Sequence, residues 1–254
     1  MPLSIQAGLW GLLGGFALVL GAAVAYVMAL PQRLVAGVMA LGSGVLISAV
    51  AFDLMEEAWG EGGFAPTAGG FLAGAIVYTL ANVALARFGA RHRKRSGHQP
   101  DARQPEAGTG GGLAIAVGAL LDGIPESVVI GVSLLGGAEV SISTVAAVFL
   151  SNVPEGLSSA AGMRRAGRSA AYIFGVWGGI ALASGLAALI GNLALAGAAP
   201  EITAVTNAVA AGAILAMLAD TMVPEAFETA HDYAGLITVL GFLLAFTLAH
   251  LGGD

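Results

Sequence analysis

Runs of about 18 or more residues with almost no charge recur along this chain from end to end. A hydrocarbon core of roughly 30 Å holds no water to satisfy backbone N–H and C=O groups, so such runs cross it as helices. The alternation of a barrel strand is absent. Only 10% of the residues are charged and 57% are hydrophobic, whereas a soluble domain carries about 25% charge. The expected fold is an all-α membrane protein, a single transmembrane domain over 1–254. Eight spans are expected, at about 8–30, 34–57, 66–88, 112–136, 140–162, 169–196, 202–226 and 233–251. The stretch 91–111, polar and rich in Pro and Gly, is expected to be a mobile cytoplasmic loop. Cysteine is absent, which excludes disulfides and thiolate chemistry. No basic residue precedes the first apolar run, which is read as a span rather than a cleaved signal peptide.

Orientation follows from the ten Lys and Arg residues. With eight spans, Arg33, Arg87, Arg91, Arg93, Lys94, Arg95, Arg103, Arg164, Arg165 and Arg168 all fall on one side. Basic loops stay in the cytoplasm, so both termini are expected outside it. The expected location is a bacterial inner (plasma) membrane.

Within this apolar chain, Asp122-Gly-Ile-Pro125-Glu126 stands out. A charged residue at mid-bilayer costs roughly 2.5–3.5 kcal/mol on insertion scales. Asp122 and Glu126, four residues apart, share one helix face. Pro125 cannot donate to the carbonyl of Leu121, which leaves that oxygen free nearby. Ser151-Asn152-Val-Pro154-Glu155 repeats the pattern in the fifth span. Two acids and spare oxygens on one stripe form an all-oxygen cation site.

Further acids extend the trail. Asp53, Glu56 and Glu57 end the second span at its outer side; Asp220 and Glu225 lie toward the inner end of the seventh, with Glu228, His231 and Asp232 beyond. Asp122-x-x-Pro-Glu126 resembles Ser151-x-x-Pro-Glu155, and the acids of the second span resemble Asp220-Thr-Met-Val-Pro-Glu225. Each pair lies on oppositely directed spans, as an inverted repeat requires: spans 1–3 mirrored by 6–8 around a central pair.

These motifs resemble the ZIP (Zrt/Irt-like) family of divalent metal transporters. The likeness lies in the Pro-Glu motifs of spans 4 and 5, Phe52-Asp53, Asp220 to Glu225, and the His-containing loop after span 3. The resemblance implies a 3+2+3 inverted repeat and a metal centre, often binuclear, formed by Asp122, Glu126, Ser151, Asn152 and Glu155, with Glu155 bridging. The chain is an atypical member by this comparison. Asp122-Gly123 stands where the family has His-Asn, no acid falls in Val176–Gly185 of span 6, and none of the four histidines (His92, His98, His231, His250) lies in a central span.

The function expected is import of a divalent cation (zinc, or Mn2+, Fe2+ or Cd2+) into the cytoplasm by alternating access, with the metal as substrate and no catalytic cofactor. Oxygen ligands favour harder ions and imidazole favours zinc; the resemblance points to zinc. No enzymatic activity is expected and no nucleic-acid partner; the lipid bilayer is the surrounding, and the glycine-rich spans permit a homodimer. One rival function is a non-transporting metal sensor or scaffold. Another is an intramembrane aspartate-dependent enzyme using Asp122 and Asp220. A plainer alternative for the acids is pairing with polar groups on other spans. No basic residue lies in a central span to pair with them. For Asn152 the plainer role is interhelical hydrogen bonding. His92 and His98 are plainly read as solvated loop residues, and Gly11, Gly14, Gly15, Gly175, Gly178 and Gly179 as sites of close helix packing.

Overall fold

The computed structural model describes residues 1–28, 30–87, 93–94, 112–135 and 140–251. His92 and His98, with most of 91–111, lie outside the described residues. Those described form helices and turns with short connecting residues, with no strand among them.

Eight long helices follow one another: α1 Leu3–Val27, α2 Gln32–Gly62, α3 Phe64–Ala86, α4 Gly112–Val132, α5 Ile142–Arg165, α6 Ala170–Leu195, α7 Pro200–Glu228 and α8 Ala234–Leu251. Local chemistry sets several starts. The Ser141 and Ser169 side chains accept from the amides of Thr144 and Tyr172, each at 3.2 Å, and Pro200 occupies the first turn of α7. Gly63, at φ 69°, makes the tight turn between α2 and α3.

Seven of these helices are long and apolar enough to cross a membrane. The remaining one, α5, has 24 residues and sufficient length, but Ser151, Asn152, Glu155, Ser158 and Ser159 make it too polar. All five are buried, so α5 turns these groups toward protein. Rows of large apolar side chains on α3 (Leu72, Ile76, Leu80), α6 (Leu182, Leu186, Ile190) and α8 (Leu236, Leu240, Leu243) face outward instead. An exposed apolar belt of that extent suits lipid and not water.

The helices pack as two groups, α1, α4, α5 and α6 on one side and α2, α3, α7 and α8 on the other, joined where α2 meets α5 and α4 meets α7. One core lies around Leu18, Ile115, Leu157 and Trp177, and another around Met39, Tyr78, Ile214 and Met217. Backbones approach closely at paired glycines. A Cβ at Gly21 of α1 would strike the carbonyl oxygen of Val153, and one at Gly156 of α5 that of Leu18. Gly44 with Gly241 and Gly74 with Gly212 do the same for α2–α8 and α3–α7. Gly11 and Gly15 pack α1 on α6 as expected. Gly175, Gly178 and Gly179 do not: nothing lies within 4 Å of a Cβ built there. Periodicity shows which residues are small and not which face meets a neighbour.

Two helices are interrupted by π-helical turns, Ala49–Leu54 inside α2 and Leu218–Met222 inside α7. Each contains one of the outlying aspartates, Asp53 or Asp220. Such turns concentrate at functional sites because the extra residue re-aims neighbouring side chains.

Candidate cation site

The centre of the molecule is where α4 and α5, each with a proline inside it, meet, with α3 and α7 beside α4 and α2 beside α5. Asp122, Glu126 and Glu155 are brought together there, with exposures of 1%, 1% and 4%. Two cations are buried with them: Arg93 at 2% and Lys94 at 3%. These two belong to the stretch 91–111, expected to be a mobile cytoplasmic loop, and both are buried among the described residues. No basic residue lies in either expected central span, and the two cations come from outside the spans. Loop residues carry no periodic signal that would reveal a return to the core.

Arg93 holds Asp122 through two hydrogen bonds, Nε to Oδ2 at 2.8 Å and Nη2 to Oδ1 at 2.7 Å. This bidentate geometry suits a planar guanidinium and a carboxylate. Nη2 also donates to the Tyr78 hydroxyl at 2.7 Å, and that hydroxyl donates to Asp122 Oδ1 at 2.7 Å. Nη1 donates to Asn82 Oδ1 at 2.8 Å, and Asn82 Nδ2 donates to Asp220 Oδ2 at 3.2 Å. Tyr78 and Asn82, four residues apart on α3, present one face to the same guanidinium.

The Lys94 ammonium lies between two of the carboxylates, 2.8 Å from Glu155 Oε2 and 3.3 Å from Asp122 Oδ2. Burial disfavours the charged forms of both Lys94 and Arg93. The neighbouring carboxylates, Asp122 foremost, outweigh it and hold both above their ordinary pKa ranges. The main chain is fixed as well. Ser159 Oγ donates to the Arg93 carbonyl at 2.6 Å and Ser158 Oγ to the Lys94 carbonyl at 2.7 Å.

Glu126 is within electrostatic reach of Glu155, Lys94 and Asp122. Neither of its carboxylate oxygens has a hydrogen-bond partner among the described residues. Three carboxylates therefore face two cations, and the unmatched one is wholly buried.

The other expected ligands are disposed differently. Ser151 Oγ donates to the Val148 carbonyl of its own helix at 2.9 Å. Asn152 Nδ2 donates to the Gly14 carbonyl of α1 at 2.9 Å, an interhelical tie. Asp53 is half-buried in its π turn, within electrostatic reach of His250 and Glu56. Asp220 is exposed and joins the centre through Asn82. It does not face Asp122: Asn82 and Arg93 stand between the two aspartates. Glu225 is buried, with Oε1 3.4 Å from Ser158 Oγ. Glu57 accepts from Asn207 Nδ2 at 3.1 Å, a tie between α2 and α7. Among the described residues, no three His, Asp or Glu side chains are grouped so as to hold a metal ion in this arrangement. The central acids are engaged by the guanidinium and the ammonium.

Sequence reasoning missed Tyr78, Asn82, Arg93, Lys94, Ser158 and Ser159. The pair Tyr78 and Asn82 at helical spacing in an otherwise apolar span was one available signal. Ser158-Ser159, one residue beyond the Pro-Glu-Gly-Leu turn, was another. No family model matches the chain, and no curated protein matches it.

Proposed function

We propose that this protein carries a divalent metal ion across a membrane into the cytoplasm by alternating access, in the manner of the ZIP transporters its motifs resemble. The observation that carries the proposal is the burial of three carboxylates, Asp122, Glu126 and Glu155, on two helices that each contain a proline, with Asp122 and Glu155 sharing the Lys94 ammonium and Glu126 within electrostatic reach of both. Buried carboxyl groups persist in such a place when positive charge or a proton neutralises them. Oxygen donors of this kind suit hard or borderline divalent ions. Zinc, Mn2+, Fe2+ and Cd2+ are the candidate substrates.

An inverted 3+2+3 repeat accounts for the packing. Exchanging α1 with α6, α2 with α7, α3 with α8 and α4 with α5 leaves the pattern of helix contacts unchanged: α1–α5 becomes α6–α4, α3–α7 becomes α8–α2, and α2–α5 becomes α7–α4. The two π turns exchange as well, each followed by an eight-residue α-helical segment. Repeats of this kind hold the substrate site at their interface, and one group of helices moves against the other around it. Eight crossings, with all basic loops in the cytoplasm and both termini outside, complete the arrangement.

Uptake of Zn2+, Mn2+, Fe2+ and Cd2+ into proteoliposomes tests the function, comparing the wild type with Glu155→Gln. Flux of at least one ion that falls to the protein-free rate in the variant is the expected result. Metal bound without flux in the wild type instead supports a sensor or scaffold, a reading favoured by the way the chain's own cations occupy the site.

A further inference from the structure

We infer that Arg93–Lys94 is a tethered dibasic ligand of the cation site, displaced when a divalent ion binds. The inference rests on the cation-carrying function proposed above and adds its regulation: the empty site is closed by a piece of the same chain.

Four independent contacts make this a built receptor. The Arg93 guanidinium takes Asp122 with bidentate geometry. The Lys94 ammonium bridges Asp122 and Glu155. Ser159 and Ser158, successive residues on α5, donate to the two successive carbonyls of the dipeptide. Side chains alone could be an accident of charge. Recognition of the main chain in register with the side chains is what a peptide-binding cleft does.

Charge explains why a divalent ion would compete. The dipeptide brings two positive charges to Asp122 and Glu155. One divalent ion brings the same two, so the exchange leaves the site's net charge unaltered. A monovalent ion would leave one more carboxylate unmatched in a buried place. Glu126, buried and with both oxygens unpartnered among the described residues, is the ligand that the dipeptide leaves unused. A metal would gain it, and that supplies the differential contact that any displacement needs.

A tether makes the dipeptide a strong competitor, because its effective concentration at the site is high whatever the bulk metal level. Metal affinity is lowered by the fraction of time the site is closed. The site then opens in proportion to metal supply.

Limited trypsin digestion of the full-length protein in detergent tests this, reading cleavage after Arg93 and Lys94 by mass spectrometry, with a control peptide to correct for metal effects on the protease. In EDTA, cleavage there should be slow. Zn2+ or Mn2+ should accelerate it at least about fivefold and saturably, while Na+ or K+ at matched ionic strength should not. Arg93→Gln/Lys94→Gln should raise apparent Mn2+ or Zn2+ affinity about tenfold by calorimetry. Ser158→Ala/Ser159→Ala, which removes no charge, should raise it by a smaller factor and so guards against misfolding of the first variant. Cleavage that is fast in EDTA and indifferent to metal overturns the inference, as does unchanged affinity in both variants. Metal-stimulated cleavage without flux sinks the transport function and leaves the tethered ligand standing. Flux with metal-indifferent cleavage does the reverse.

Discussion

At the scale of single residues, the Arg93–Asp122 pair decides how the centre can exist at all. Both groups are buried, and each answers the desolvation of the other. Removing one partner of such a pair costs about 3–5 kcal/mol because a bare charge remains. Arg93→Ala is therefore expected to lower the thermal midpoint in detergent strongly, and Arg93→Met/Asp122→Leu to recover most of the loss. Additive losses in this double variant would show that the pair is not coupled. Tyr78→Phe should cost less, about 1–3 kcal/mol, since it removes one hydroxyl that accepts from Arg93 and donates to Asp122. Asp122 and Glu126 stood out in the sequence because acids are expensive in an apolar run. Arg93 and Lys94 did not, because in a basic stretch each reads as one more charge that fixes orientation.

At the scale of helices, paired glycines set how closely the elements approach. Gly21 on α1 and Gly156 on α5 each stand against the other helix's backbone, and Gly156 lies between Glu155 and Leu157 in sequence. Gly156→Val must push α1 and α5 apart, and overpacking of that kind costs typically 1–3 kcal/mol and occasionally more. Gly178→Ala, where an added Cβ meets nothing within 4 Å, should leave the thermal midpoint within about 1 °C of the wild type or raise it slightly, since alanine is the better helix former. Equal effects of the two substitutions would contradict the packing described. Composition announced that glycine matters here. Which glycines meet a partner depended on helix rotation, which residue spacing in a uniformly apolar segment leaves open.

At the scale of the whole molecule, two four-helix groups meet at the buried centre. The proposed topology places Arg33 and Arg168 on the cytoplasmic face and Glu61 and Ala198 on the opposite one. Because the chain has no cysteine, single substitutions to cysteine report position directly. Membrane-impermeant maleimide should label Glu61→Cys and Ala198→Cys in right-side-out vesicles, and Arg33→Cys and Arg168→Cys only in inverted ones. Labelling of a mixed set from one face would refute eight crossings.

The sequence by itself determined the class of structure, because long uncharged segments in a medium without water leave the backbone no option but to bond internally as helices. It also singled out Asp122, Glu126 and Glu155, since a costly group in an apolar segment is conspicuous wherever the chain goes. Only the tertiary structure decided what neutralises Asp122 and Glu155. Arg93 and Lys94 reach Asp122 and Glu155 from a stretch with no helical period, so their burial depends on contacts distant in sequence. Pattern along a chain reports what a segment prefers locally; it does not report which oppositely charged segment comes to lie against it.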